Sequence, residues 1–204
     1  NIDSANAEKF VANTEDGKSF VEQPVRGNVE ITKVDEDYPN NKLTGAEFTI
    51  YAEDKTTVIG KMAEAETGIY RYEGLRYGKY YLKETKAPDY FVQDVNFYYF
   101  EITENGKTVI VTNDELGKGT FINAPQKGEI KIVKTSYDHK VEGFSFEVTG
   151  KTFTGQSFSK IYTTDENGII HITDLRAGEY NIHEVADDAS AGYLLPDDKQ
   201  LTID

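Results

Sequence analysis

The chain repeats itself, and that repetition limits what it can fold into more than any other feature. GNVEITK at 27–33 returns as GEIKIVK at 128–134. TGIYRYEGLRYGKYYLKE at 67–84 returns as NGIIHITDLRAGEYNIHE at 167–184. Gly68, Leu75, Gly78, Tyr80 and Glu84 thus meet Gly168, Leu175, Gly178, Tyr180 and Glu184 at one constant offset. Between these blocks LTGAEFTIY (43–51) is echoed by VEGFSFEVTG (141–150). Two homologous modules follow in tandem, 27–126 and 127–204, joined near Pro125–Lys127. Residues 1–26 read as a tail or linker from an upstream module, because FVEQPVRG (20–27) keeps the Phe-Pro-Gly spacing of FINAPQKG (121–128). QLTID (200–204) aligns near FEITE (100–104), and the first module then runs on through NGKTVIVTNDELGKGTFINAP. The second module is therefore expected to be truncated, without its last strand.

Within each module, short segments alternate with turn signals: DYPNN, ETG, RYG, ENGK, DENG and RAG. The chain has 14 Tyr and 11 Phe, residues that favour pleated surfaces, and no Trp. Helical periodicity is scarce; KMAEAE (61–66) could form at most a turn or two. The pattern predicts an all-β protein of two tandem sandwiches. A net charge of −14 argues against a charge-driven hold on nucleic acid or an anionic membrane. With no cysteine, disulfides and thiolate zinc sites are excluded. No stretch is apolar over the length a membrane helix needs, so no membrane insertion is expected in this segment.

Strand alternation then exposes an anomaly. Val29, Ile31 and Lys33 share one face of a strand; so do Tyr80, Leu82 and Glu84, and so do Phe121 and Asn123. A lysine, a glutamate and an asparagine each close an apolar stripe. The second module repeats two of the three, as Ile130, Ile132 and Lys134 align, and Tyr180, Ile182 and Glu184. A lysine at a strand end can snorkel outward, and a buried Lys–Glu pair is weak evidence of stability. The recurrence in both modules, with an amide as third partner, points instead to chemistry. Desolvation lowers a lysine pKa and raises a glutamate pKa, so both groups can be neutral in a dry core. A neutral amine is a nucleophile, and a protonated carboxyl can polarise an amide and shuttle protons. The product would be a Lys–Asn isopeptide bond, made once, with proximity supplied by the fold.

The pattern GxVxIxK, LxGAxF, GxYxLxExxAPxxY and FxNxP, with LKETKAPDY (82–90) and TFINAP (120–125), resembles the Cna B-type repeat domains of collagen-adhesin-like and SpaA-like pilin surface proteins of Gram-positive bacteria. The resemblance implies an immunoglobulin-like sandwich of the inverse or transthyretin-like kind. It also implies a spontaneous cross-link in which Lys33 is the amine, Asn123 the acceptor and Glu84 the catalyst. In the second module Lys134 and Glu184 match the motif, but no acceptor accompanies them: Asn167 lies in a turn and Asn181 has the wrong parity. Lys134 is therefore an amine without an acceptor, and no second bond is expected within this chain. Asn13 of KFVANT (9–14), donated by another molecule, is a remote alternative.

Other features are read blandly. His139, His171 and His183 form no metal motif and are expected to face solvent; no metal or other cofactor is expected. The acidic turns at 35–42 and 163–168 lack the calcium-loop pattern. Lys42 in YPNNK belongs to a hairpin turn rather than a sortase target. FYYF (97–100) should place one side in the core and leave the other exposed. Two functions compete. One is a structural stalk of a cell-wall-anchored, extracellular adhesin or pilin, partnered by neighbouring modules, its anchor lying outside this segment. The other is a module that binds a host extracellular protein or glycan through exposed aromatics. No nucleophile–base–orienter set suggests a turnover enzyme.

Overall fold

The computed structural model describes residues 23–114 and 119–204. The first module contributes β1 (Arg26–Asp35), β2 (Glu47–Ala52), β3 (Val58–Lys61), β4 (Ala63–Glu66), β5 (Ile69–Arg76), β6 (Gly78–Lys86), β7 (Tyr98–Ile102), β8 (Thr108–Ile110) and β9 (Phe121–Asn123). One sheet has the order β4-β5-β1-β8, with β9 also pairing β1; the other has the order β3-β2-β6-β7. The second module contributes β10 (Lys127–Val133), β11 (Ser145–Thr152), β12 (Ser157–Thr163), β13 (Ile169–Arg176), β14 (Gly178–Glu184) and β15 (Lys199–Ile203). Its β10 pairs β13, opposite a sheet of order β12-β11-β14-β15. The described residues contain no helix, and both modules are all-β sandwiches, as the turn spacing predicts.

Strand β1 organises the first module. One edge runs antiparallel to β5, from Arg26↔Arg76 to Thr32↔Ile69. The other edge is covered in succession by two short parallel strands, β8 (Val29↔Val109) and β9 (Lys33↔Phe121, Asp35↔Asn123). Its inward residues Val29 and Ile31 are fully buried against Phe48, Ile50 and Leu82 of the facing sheet. Phe121 fills the middle, edge-on to Phe48 and Tyr98 at ring centroid distances of 5.1 and 5.0 Å. In the second module β10 pairs β13 in the same manner, with the same irregularity near its start (Gly128/Ile130, as Gly27/Val29). Among the described residues no strand covers the other edge of β10.

The 61–66 segment is not helical: Ala63–Glu66 forms β4 and pairs with β5 at Ala63↔Arg71 and Glu64↔Tyr70. All four residues are exposed, so the segment has no apolar stripe with which to hold a helix against the core. Met62 is buried instead, and its N–H donates to Phe48 O, which leads the chain along the sheet edge. Ladder bonds to a finished strand outcompete the nucleation of a lone helical turn.

The repeated glycine before β5 and β13 has a specific duty. Lys33 N–H donates to Gly68 O at 2.7 Å, and Lys134 N–H donates to Gly168 O at 2.8 Å. Both glycines hold positive φ, 64° and 74°. A Cβ on Gly68 would sit 2.7 Å from Lys42 Cβ, and one on Gly168 would sit 2.8 Å from the Lys134 carbonyl oxygen. Gly68→Ala and Gly168→Ala should therefore each destabilise the protein by about 1–3 kcal/mol, through strain in the left-handed region and displacement of the lysine backbone. Urea unfolding of each variant, read module by module, checks this; a neutral substitution at either site would contradict the packing described.

Candidate functional site

Three strands bring three polar side chains to one place in the core. β1 ends its inward stripe with Lys33, β6 with Glu84 and β9 with Asn123. Lys33 and Glu84 are 0% exposed and Asn123 is 2% exposed. Alternation forces the first two inward, because Val29, Ile31 and Leu82 on the same faces are core residues. The parallel register of β9 on β1 sets Phe121 beside Lys33 and Asn123 beside Asp35. The side chains that sequence reading singled out thus converge.

The contacts are specific. Lys33 Nζ donates to Phe121 O at 3.2 Å and lies 3.6 Å from Glu84 Oε1. Asn123 Nδ2 donates to Glu84 Oε2 at 2.8 Å and to Val92 O at 2.6 Å. The Asp94 N–H also donates to Glu84 Oε2, at 2.8 Å. One carboxyl oxygen therefore faces the amine and the other faces the amide nitrogen. Among the described residues, two buried atoms accept or donate no hydrogen bond: Glu84 Oε1 and Asn123 Oδ1. Such atoms are costly in a dry interior and call for a reason.

Electrostatics push the pair toward neutrality. Desolvation lowers the Lys33 pKa from 10.5 to about 8, against the opposing pull of Glu84. Desolvation raises Glu84, again against its partner Lys33. Asp94 behaves differently. Burial pushes it up, but hydrogen bonds from Tyr98 and Asn113 outweigh that and hold it below the usual carboxylate value. It therefore stays ionised beside Glu84.

A supporting shell lies outside what alternation could reveal. Asn113 Nδ2 donates to Asp94 Oδ2 and to Ile122 O, both at 2.9 Å, while its Oδ1 accepts from Ile122 N–H at 2.6 Å. The side chain of Asn113 thus takes the place of a strand on the outer edge of β9. Tyr98 donates to Asp94 Oδ2 and packs on Phe121. Gln93 Nε2 donates to Glu84 O at 2.9 Å. Tyr98 opens β7, whereas Gln93, Asp94 and Asn113 lie in the QDVN and VTND loops, whose only sequence signal is their polarity.

The second module holds the equivalent pair without the amide. Lys134 Nζ donates to both oxygens of Glu184, at 2.7 and 2.8 Å, with Lys134 Nζ 4.4 Å from the Phe144 ring centroid. Among the described residues no carboxamide bonds to either. Asn167 lies in a turn, and Asn181 donates to Asp198 on the surface. Beside the pair runs an open groove of about 940 Å³ along β10, lined by Lys134, Phe146, Ile182 and Tyr193 among others. Asn13 lies outside the described residues. His171 and His183 are surface residues bound to Glu129 and Asp198, His139 is exposed, and no group of metal-ligating residues occurs among the described residues. Asn41 N–H donates to Tyr38 O, which makes the YPNN stretch before Lys42 a turn. Phe100 is buried, whereas Phe97 and Tyr99 join Tyr51 and Tyr81 in an outer cluster. Lys55 covers the Tyr81 ring at 4.4 Å and Lys83 covers Phe97 at 4.8 Å.

A family match and two solved structures agree with this architecture. The family described as the SpaA prealbumin-like fold domain matches residues 27–116 and 128–204. The chain is 31% identical to the Bacillus anthracis TIE protein, with a TM-score of 0.69, over 88% of this chain and 32% of that one. It therefore spans about a third of that relative's length. A C-terminal fragment of the pilus adhesin SpaC from Lactobacillus rhamnosus GG shares the fold at 17% identity and a TM-score of 0.55, over 89% of this chain and 83% of the other. A streptococcal ancillary pilin is 18% identical with a TM-score of 0.39, over 88% of this chain and 59% of the other. No curated protein matches.

The depressed amine has a measurable consequence in Asn123→Ala, which keeps Lys33 but loses the carboxamide. The folded value of about 8 lies below the ordinary 10.5, so between these values the unfolded chain binds the extra proton. The burial penalty is fully present below pH 8 and is relieved as pH rises toward 10.5. Relative to Lys33→Met/Asn123→Ala, the single variant should gain on the order of 3 kcal/mol across that window. Chemical denaturation at a series of pH values reads it. A flat difference would mean that Lys33 is hydrated.

Proposed function

The chain belongs to the SpaA family of prealbumin-like domains, and we propose that it is a stalk segment of a bacterial cell-surface adhesin or pilin, hardened by a spontaneous Lys33–Asn123 isopeptide bond. The modules are taken as 27–126 and 127–204, with 1–26 belonging to what precedes them, and the whole as extracellular and cell-wall anchored through parts beyond this segment. The observation that carries the reading is the pair of unsatisfied atoms at the centre of the cluster. A protonated Glu84 Oε1 is a donor without an acceptor, and Asn123 Oδ1 is an acceptor without a donor. Supplying a proton to Oδ1 satisfies both and polarises the amide carbon.

The steps then balance. The neutral Lys33 Nζ adds to Asn123 Cγ as the Glu84 proton moves to Oδ1. The Glu84 carboxylate takes a proton from Nζ and passes one to Nδ2, to which Oε2 is already hydrogen-bonded. The Cγ–Nδ2 bond breaks, ammonia leaves, and the proton on oxygen returns to the carboxylate as the carbonyl re-forms. Reactants held together by packing supply effective molarity, and the absence of water protects the neutral amine. The event occurs once per molecule, so it is maturation rather than turnover. Lys134 and Glu184 stay an ion pair for want of an acceptor.

The bond would close a loop from the first long strand of the module to its last. By the chain-entropy argument used for disulfides, that stabilises by on the order of 4–5 kcal/mol. The intact protein should weigh one ammonia less than its sequence. Lys33→Ala, Asn123→Ala and Glu84→Ala should each restore the full mass and lower the stability of the first module. Intact-mass spectrometry decides it, and a wild-type protein at its full sequence mass would defeat the reading.

A further inference from the structure

A guanidinium sits at the centre of the contact between the two modules. Arg176, the last residue of β13, is 7% exposed. Its Nη1 and Nη2 donate to the two carboxylate oxygens of Asp35 at 2.9 and 2.5 Å, and its Nε donates to Asp37 at 3.2 Å. The guanidinium also lies over the Tyr38 ring, 4.9 Å from its centroid. Around it, Tyr90 stacks on Phe153 at 4.5 Å and Lys127 pairs with Asp37 at 3.4 Å. A forked, stacked arrangement is one that arginine can make and lysine cannot.

The repeat supplies an internal control. Arg76 occupies the corresponding place in the first module and is exposed. Arg176 differs in lying against the neighbouring module as well as beside Thr154 and Gln156 of its own, to which Nη1 donates at 3.3 and 3.5 Å. The carboxylate has no counterpart: Asp35 follows Lys33 by the same step at which Ser136 follows Lys134. The arginine is common to both modules, so the carboxylate at Asp35 is the half that sets this joint apart from the repeat.

The grip lands on the cluster's own supports. Asp35 sits beside Asn123 in the β1–β9 ladder, and the Glu36 N–H donates to Asn123 O at 3.1 Å. Phe91, also against the guanidinium at 5.9 Å, pairs with Pro125, and the next carbonyl, Val92 O, accepts from Asn123 Nδ2. We propose that Arg176 is an inter-module clamp. It locks the two modules into one stiff unit and, as a positioning residue, holds the end of β1 and the 91–92 segment in register around Asn123. The second half of this inference rests on the cross-link reading; the first does not.

Since the chain has no cysteine, Glu73→Cys and Glu166→Cys place one spin label on an exposed site in each module. Pulsed dipolar spectroscopy should give one narrow distance distribution in the otherwise unaltered protein. Arg176→Ala should broaden it, and Arg176→Lys should broaden it as well while keeping the charge and the strand content seen by circular dichroism. A distribution as narrow as that of the parent in both variants overturns the clamp. In the same variants, intact mass should reveal an uncross-linked fraction absent from the parent. Complete ammonia loss in both variants would overturn the positioning role. A parent without ammonia loss would instead sink the cross-link reading, and the positioning role with it, and leave the clamp to be judged on the distances alone.

Discussion

A lysine amine with no access to water is the constraint on which the first module turns. Lys33 sits on the same strand face as Val29 and Ile31, and all three are fully buried. An isolated ammonium there would be prohibitively costly, and a Lys–Glu pair only partly offsets the desolvation of both charges. The cluster resolves this by moving each partner toward its neutral form, with the lysine brought down to about 8 and the glutamate raised. What would be a liability in a purely structural core is the protonation state that amide chemistry needs.

The comparison between modules shows what the amide does to the pair. In the second module, Glu184 gives both oxygens to Lys134 in a tight fork at 2.7 and 2.8 Å. In the first, Asn123 and the Asp94 N–H occupy Glu84 Oε2, and Lys33 stands back at 3.6 Å from Oε1 while turning to the Phe121 carbonyl. Strand β9 therefore delivers more than an amide. By competing for the carboxylate it loosens the ion pair, and it completes the enclosure that desolvates the amine. The open groove beside β10 leaves Lys134 partly exposed, with 12% of its side chain accessible. The same two residue types, on the same two strands, are thus a charge pair in one module and a poised cluster in the other.

Alternation explains why so much of this was legible in the sequence. A period of two assigns every strand residue to a face, so Lys33, Glu84 and Asn123 could be set inward without coordinates. The repeat doubled the signal for Lys and Glu and identified the module in which Asn is absent. Loop residues obey no such period. Asp94 and Asn113 hold Glu84 and β9 through contacts that join segments distant in the chain, and nothing in QDVN or VTND encodes that meeting. Arg176 was hidden for another reason: its carboxylate partners belong to the other module, and pattern within a repeat says nothing about packing between repeats. The 61–66 segment, which had room for a turn or two of helix at most, forms none, because its place at the open edge of β5 suits a strand.

The placement of these contacts bears on how a stalk would carry load. Chain enters the first module at Arg26, and the linker to the second begins right after Asn123. With Lys33 and Asn123 joined, tension would run from β1 through the cross-link into Pro125 and never reach the sheets folded between them. That path would leave the joint as the weak point, since the linker between β9 and β10 is only the three residues 124–126. The Asp35–Arg176 fork sits there, anchored two residues beyond Lys33 on the same strand. A covalent tie within the module and a buried ion pair across the joint would therefore act in series, the first resisting extension and the second resisting bending.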